Sequence, residues 1–282
     1  MGRGWTGVLV VKAREGALNV DSIHVLREWD ARTYDSLPLP HTQWGRRTLS
    51  RLDLRGVQRV LDAGCGTGRD TQLLLDLVPG GRVVAVDGSR AMLEQLQIRL
   101  ADQTDRVEII HADLTKPLPV EGRVDAIISI ATFHWISDHA TLFRNLASVL
   151  RPDGQFVAEC GGQGNVARIA AAIEDALGES PAIWNFAGVE ETKRRLEDAG
   201  FTDIEIALVP DPCRLEPGEQ FESYLATLVL GAHLDRLPEQ EREEFVQAVV
   251  KRLPEPVVDY VRLTFRAKRA YRAGRIGAFR SC

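Results

Sequence analysis

The sequence has no Cys-x-x-Cys pair, no apolar run long enough to cross a bilayer and no surplus of positive charge, and each lack removes a class of function. Its four cysteines, Cys65, Cys160, Cys213 and Cys282, stand far apart. That spacing argues against a zinc site and against a secreted disulfide framework, and it points to a reducing, cytoplasmic home. A bilayer-spanning helix needs roughly 20 consecutive apolar residues, so no membrane partner is expected. The opening "MGRGWTGVLVVKAREG" carries a short apolar patch without a signal-peptide core or a small-residue cleavage site, and residues 1–20 read as a disordered extension. A net charge of −5 offers no field for sequence-independent nucleic-acid binding, so no nucleic-acid partner is expected either. The basic run from Arg262 to Arg275 reads as a solvated strand edge and tail. Internal repeats and low-complexity segments are also missing.

What is present is the pattern of an α/β protein. A chain of 282 residues, 44% hydrophobic and 27% charged, suits one large globular domain or a core with an appended lid. From Val60 onward, short β-branched runs alternate with helical stretches, the signature of βαβ units and a doubly wound parallel sheet. The expected strands are Val60–Ala63, Arg82–Asp87, Val107–Ala112, Val124–Ile130 and Gln155–Cys160. Amphipathic helices are expected between them at Asp70–Val78, Ala91–Leu100 and Ala140–Leu150, with Ser89 and Asp138 at N-cap positions. The "RPDG" turn at Arg151–Gly154 should stop the third helix. Segments such as "AIISI" are apolar on both faces, as when helices cover both sides of a sheet. Further on, helices are expected around Ala167–Leu177 and Glu190–Ala199, then a strand at Thr202–Leu208. Helices at Phe221–Leu230 and Glu239–Leu253 follow. The closing "VDYVRLTFRAKR" alternates in the manner of an edge strand.

The stretch "RVLDAGCGTGRDTQLLL" marks where a ligand would lie, because in open α/β sheets ligands sit beyond the carboxyl ends of the strands. Gly64, Gly66 and Gly68 let the loop take positive φ and let backbone amides approach something small. A dinucleotide fingerprint would have its third glycine one residue later, where Arg69 stands, so a nicotinamide-dependent oxidoreductase is a weaker reading. No Gly-Lys-Ser/Thr follows, which removes a Walker A loop. The next strand ends in Asp87, about 20 residues on, where a carboxylate can accept from both hydroxyls of a ribose. The third ends in "HADL", which puts Asp113 at the same sheet edge, able to accept from an exocyclic amine. Together these acids describe a pocket for an adenosine without phosphates.

With those residues in view, the chain resembles the class I S-adenosylmethionine-dependent methyltransferases over about residues 58 to 162. The resemblance implies a seven-stranded sheet with an antiparallel last strand and helical lid elements, with S-adenosyl-L-methionine as cofactor. It implies Asp62 near the methionine ammonium, and Gly64, Cys65, Gly66 and Gly68 along the methionyl-ribose section. Asp87 would take the ribose hydroxyls, and Gly88, Ser89 and Met92 would wall the adenine. Asp113 and Leu114 would read the adenine edge, and Ile130 completes the set at the end of the fourth strand. Within that superfamily, "EWDARTYDSLPLPHTQWGRRTLSRL" and "ATFHWISDHATLFRNLASVLRPDGQFVAE" look like the trans-aconitate methyltransferase-like group of small-molecule enzymes. Trp29, Tyr34, Gln43 and Trp44 match the segment that closes over the cofactor in that group, so Tyr34 and Trp44 join the cofactor set. The expected division is an extension at 1–20, a helical lid at 21–47 and a cofactor core at 48–162. A C-terminal part at 163–269 would hold substrate-shaping helices and the last two strands, with a tail at 270–282.

Transfer to a small-molecule acceptor needs chiefly an aligned nucleophile. A carboxylate needs no base, whereas a hydroxyl or a carbon acid does. His134, in "ATFHWISDH", is the expected base or orienter, and Trp135, Trp184 and Asn185 are expected at the substrate. His111 and His139 read as structural. Arg144 and Arg168 are candidates for holding an anion, though lone helix arginines usually face solvent. No metal is expected. A non-catalytic S-adenosylmethionine-binding regulatory protein stands as the alternative, and the protein is expected as a monomer or homodimer.

Overall fold

The computed structural model describes residues 26–36, 41–178 and 183–271. The expected extension at 1–20 and nearly all of the tail lie outside them.

Seven strands form one sheet in the order β3-β2-β1-β4-β5-β9-β6. These are β1 Arg59–Ala63, β2 Arg82–Asp87, β3 Val107–His111, β4 Val124–Ile130, β5 Leu150–Gly161, β6 Phe201–Pro210 and β9 Val261–Arg269. Strands β1 to β5 run parallel, and β9 is antiparallel to both β5 and β6. Strand order reverses at β1, with β2 on one side and β4 on the other, so the loops after β1 and β4 face a common crevice. Val83, Val84 and Val86 of β2, with Ile127 and Ile128 of β4, are fully buried, as strands covered on both faces require.

Six helices accompany this sheet: α1 Ala31–Ser36, α2 His41–Leu49, α3 Arg69–Leu77, α4 Arg90–Arg99, α5 His139–Val149 and α7 Val189–Asp198. Ser89 Oγ caps α4 by accepting from Met92 N at 3.3 Å, and Asp138 Oδ1 caps α5 by accepting from Thr141 N at 2.9 Å. Strand β5 begins directly after α5. The expected "RPDG" turn is a bulge inside it: Val124 pairs with Leu150, Ala126 already pairs with Gln155, and Asp153 takes a φ of +63°. One face of the β5 side of the sheet packs a cluster of rings, Phe133, Phe143, Phe156 and Phe265, against Leu142 and Leu146 of α5.

The expected antiparallel last strand is present, but it is not at the edge. β9 lies between β5 and β6, and β6 forms the edge. Its alternation has another origin: Leu263, Phe265 and Ala267 enter the aromatic core, while Arg266 and Lys268 on the opposite face are about half exposed. The basic run is likewise not solvated throughout, since Arg262, at the start of β9, is 2% exposed.

Among the described residues the chain divides into two compact units. The larger comprises 26–165, 184–211 and 260–271, so the part expected as one block at 163–269 contributes to both. The smaller, 166–178 and 183 with 212–259, contains α6 Ala167–Leu177, α8 Glu219–Tyr224, α9 Gly231–Leu234, α10 Glu239–Val250 and the short β7–β8 pair, Cys213–Arg214 with Val257–Val258. The single helix expected over Phe221–Leu230 is broken by a π-turn at Leu225–Val229.

Candidate functional site

The loop after β1 is held open by glycine. Gly64 (φ +81°) donates to Val86 O at 2.8 Å, and any side chain there would meet Thr132 Oγ1 at 2.2 Å. Gly66 (φ +52°) differs: a Cβ at this position would find nothing within 4 Å, so its Cα faces open space. Asp87 closes the loop from β2, with Oδ2 accepting from Gly66 N at 2.9 Å and Oδ1 from Ser89 N at 2.8 Å. Each carboxylate oxygen keeps a second lone pair, which is what a pair of vicinal hydroxyls would need. Burial pushes the Asp87 pKa upward against these amide bonds. Arg69, at the end of the loop, is taken by Asp35 through Nε at 2.9 Å, so it is not a phosphate anchor. An open cradle at Gly66 beside an acceptor with spare lone pairs fits a ribosyl ligand without phosphates. Cys65 is buried there, and burial followed by Asp87 raises its thiol pKa.

Beneath the loop lies a pair of acids. Asp62, 2% exposed, accepts from Thr71 Oγ1 at 2.7 Å. Burial, then the neighbouring Asp70, pushes its pKa up to about 8. Burial likewise pushes Asp70 up to about 7. Asp70 faces α2 across Gly45, where a Cβ would come within 2.0 Å of Asp70 Oδ1.

On the other side of Asp87, Asp113 Oδ1 accepts from Thr115 N at 2.8 Å and Thr115 Oγ1 at 2.7 Å, closing a tight turn at the sheet edge. Leu114 is buried and its carbonyl accepts from Asn145 Nδ2 at 3.0 Å. His111 binds Gly88 O at 2.9 Å, and since a carbonyl only accepts, the ring donates. Ser89 and Met92 are buried in the α4 cap, and Ser89 Oγ donates to Glu28 Oε2 at 2.7 Å. Leu26 covers Gly88, whose Cβ would meet it at 3.2 Å. The ground expected for adenine is therefore shaped by residues 26–28 as well as by α4. Ile130 is 8% exposed at the end of β4.

The N-terminal helices are fastened at two places. In α1, Asp35 accepts from Thr67 Oγ1 at 2.7 Å, Arg69 Nε at 2.9 Å and Arg99 Nη2 at 2.5 Å, which ties the helix to the glycine loop. Tyr34 lies edge-on to Trp29 with ring centroids 6.5 Å apart, and burial raises its hydroxyl pKa. In α2, Gln43 is exposed, whereas Trp44 is 2% exposed and donates from Nε1 to Asp211 Oδ2 at 2.7 Å. Trp44 also meets Tyr260 edge-on at 5.1 Å and carries the Arg262 guanidinium 3.8 Å over its ring. Its ring is thus committed to a buried ionic cluster rather than to the glycine loop, because an indole N–H removed from water needs a partner.

After β4 the backbone turns through Ala131 at a φ of +55°, a strained conformation for a residue with a Cβ. Thr132 Oγ1 shares its one hydrogen between Ile130 O at 3.1 Å and Gly64 O at 3.2 Å, which holds this loop against the glycine loop. His134 is 8% exposed and its Nδ1 accepts from Gly161 N at 3.3 Å. An Nδ1 that accepts from an amide leaves the proton of a neutral ring on Nε2, where the imidazole presents a donor. Trp29, Trp135, His134, Phe186 and Trp184 follow one another at centroid spacings of 5.0, 5.0, 5.9 and 5.4 Å, forming an aromatic wall. Asn185 gives both Nδ2 hydrogens to carbonyls of this loop, Ile136 O and Ser137 O, each at 3.0 Å. It positions the wall instead of offering that amide to a substrate. His139 donates to Phe133 O at 2.8 Å, and burial lowers its pKa. Arg144 is exposed and binds Thr141 Oγ1, and Arg168 pairs with Glu255 at 3.1 Å.

Reading the sequence missed the buried cluster behind Trp44. Glu159, 1% exposed, accepts from Arg47 at 2.6 and 3.2 Å, from Thr48 Oγ1 at 3.0 Å and from Arg262 Nε at 3.4 Å. Burial lowers the Arg262 pKa, with Glu159 opposing. Its four members come from α2, β5 and β9, so no local motif announces them. Among the described residues no group of three or more His, Cys, Asp or Glu can hold a metal ion, and no helix is long and apolar enough to cross a membrane.

Comparison with known proteins agrees with this geometry. Residues 60–154 match the family model described as a methyltransferase domain. The chain is 27% identical over 244 residues to trans-aconitate 2-methyltransferase of Acidovorax sp. (strain JS42), covering 82% of this chain and 90% of that protein. It is 38% identical over 126 residues to the enzyme of the same name from Azoarcus sp. (strain BH72), covering 45% of this chain and 48% of the relative. The match to the Escherichia coli (strain K12 / DH10B) enzyme of that name is 31% over 129 residues, so the chain spans about half the length of these two relatives. In fold it is similar to phosphoethanolamine N-methyltransferase 2 of Haemonchus contortus, solved with S-adenosyl-L-methionine. The TM-score is 0.55 and the identity 18%, over 81% of this chain and 53% of that one. A Bacillus halodurans structure described as a methyltransferase gives a TM-score of 0.57 at 16% identity, over 80% of this chain and 99% of that one.

Proposed function

We propose, from the premise that this chain is a class I S-adenosylmethionine-dependent methyltransferase, that it methylates a carboxylate of a small organic acid of the trans-aconitate kind. The observation that carries this reading is the Gly161 N–H on His134 Nδ1 at 3.3 Å. A ring in that state can donate to an anion, while a hydroxyl or carbon acid would need a base. When bound, S-adenosylmethionine supplies an electrophilic methyl group, which a carboxylate takes up without losing a proton. Asp87 and Gly66 would hold the ribose, Asp113 the adenine edge and Asp62 the ammonium. The wall from Trp29 to Trp184 would exclude water from the acceptor. Neither a nicotinamide oxidoreductase nor a non-catalytic binding protein is favoured by the relatives, which carry methyltransferase names. We place the protein in the cytoplasm, as a monomer or homodimer acting without nucleic acid.

The test is a screen of mono-, di- and tricarboxylic acids with labelled cofactor, followed by mild alkaline hydrolysis of the product. A base-labile methyl ester is expected, with a rate flat from about pH 6 to 9 and a loss of roughly tenfold or less in His134→Asn. An alkali-stable methyl group, or an acid limb near pH 6.5 that vanishes in His134→Asn, would overturn the assignment.

A further inference from the structure

Arg262 has an unmet need. It is 2% exposed, yet its Nη2 has no hydrogen-bond partner and its Nε reaches Glu159 Oε1 only at 3.4 Å. Glu159 spends its oxygens elsewhere, on Arg47 at 2.6 Å and Thr48 at 3.0 Å. The guanidinium is nonetheless fixed in its plane, stacked 3.8 Å from the Trp44 ring with Tyr260 at 6.0 Å. A rigid, desolvated guanidinium with an idle donor is costly unless an anion completes it.

Its place in the sheet links it to the acceptor wall. Arg262 is the cross-strand partner of Gly161, the residue whose amide engages His134. Paired residues project to the same face of a sheet. On that face a Cβ at Gly161 would meet Phe186 Cε1 at 2.7 Å, and Phe186 stacks on His134 at 5.9 Å. Because β9 runs antiparallel to β5, its first residues reach the same edge as the ends of the parallel strands.

We propose that Arg262 Nη2 is a specificity anchor for a second, non-reacting carboxylate of the acceptor, so that the enzyme prefers acids with at least two carboxylates. The inference rests on the carboxylate reading above but adds to it the residue that selects for a second carboxylate. Entry to Arg262 requires α2 to shift, since Trp44 and Arg47 cover the guanidinium and Glu159.

The experiment titrates propane-1,2,3-tricarboxylate, which stands in for the acceptor, into the full chain with S-adenosylhomocysteine present, following the heat of binding. Butanoate serves as the single-carboxylate control. Wild type should bind the tricarboxylate at least about tenfold tighter than butanoate. Arg262→Lys should lose about 10–100-fold for the tricarboxylate and little for butanoate, the loss expected of one bidentate, charge-assisted contact. If Arg262→Lys does not fold, Arg262→Met with Glu159→Gln, which removes both buried charges, makes the same comparison. No tricarboxylate preference in wild type, or equal losses for both acids, would overturn the anchor. Failure of the functional reading looks different: the tricarboxylate would bind in an Arg262-dependent way while the acid screen gave no methyl ester.

Discussion

Replacing Asp62 by asparagine should make the protein more stable, and increasingly so as pH rises. Asparagine keeps the size and an acceptor for Thr71 Oγ1 but removes the ionisable group. The folded Asp62 pKa of about 8 compares with 3.8 for an ordinary aspartate, so the folded state holds its proton more tightly than the unfolded chain does. Stability from that proton is fully present below pH 3.8 and is lost as pH climbs through about 8. At about 1.4 kcal/mol per pH unit, the cost of carrying Asp62 grows by up to about 4 kcal/mol between pH 5 and 8. Relaxation around the loop reduces this to about 2–4 kcal/mol. The variant should thus melt a few degrees above wild type at pH 5, and the gap should widen by on the order of 5–10 °C by pH 8. Thermal denaturation of both proteins without cofactor, at half-unit steps of pH, measures this directly. A difference in Tm that stays constant from pH 5 to 8 would mean that Asp62 is already ionised in the folded state. The burial reasoning would then be refuted.

The remaining expectations concern the cofactor loop and the N-terminal helices. Asp87→Ala should weaken S-adenosylmethionine binding by about 2–4 kcal/mol in calorimetry, because it strands the ribose hydroxyls together with the Gly66 and Ser89 amides; unchanged affinity would remove the ribose assignment. Gly66→Ala meets no protein atom, so it should cost only about 1 kcal/mol of stability for its positive φ while cutting cofactor affinity at least about tenfold. Full binding by that variant would show that the open space belongs to no ligand. A chain beginning at Thr48 loses the Trp44 packing and the Arg47 bonds to Glu159, so chemical denaturation should show it less stable by about 3 kcal/mol. Unchanged stability would mean that α2 does not support the cluster. Deleting residues 1–20 should leave turnover as it is.

The parallel half of the sheet was legible because periodicity and glycine spacing are local. β2 and β4 fall where the runs "RVVAVD" and "VDAIISI" place them, and α6 has the expected ends. Most other helix and strand termini shift by a residue or two, as caps and bulges decide them, while β5 begins five residues before its expected start and α10 ends three before its expected end. The position of β9 was not legible, since an alternating strand with one packed face reads the same at an edge as in the interior. The acids of the cofactor loop could be read from their offsets after strands. The cluster of Arg47, Thr48, Glu159 and Arg262 could not, because its members are brought together by the sheet register and α2. His134 was found by its place after β4, but its hydrogen-bonding state depends on the Gly161 amide, which only the β4–β5 register supplies.

The interior place of β9 also bears on how the chain is made. β9 is the last strand of the described residues to leave the ribosome, yet it fills the gap between β5 and β6. Strand β5 ends at Gly161 and β9 begins at Val261, so at roughly 5–20 residues per second the nascent sheet waits about 5–20 s with two open edges. During that interval β5 offers unpaired backbone beside Phe156 and Cys160, and β6 is the nearest wrong partner. A premature β5–β6 pairing would bury much of the same apolar surface while locking β9 out. The step that completes the sheet is therefore also a step at which this protein is exposed to misassembly, until residue 269 has emerged.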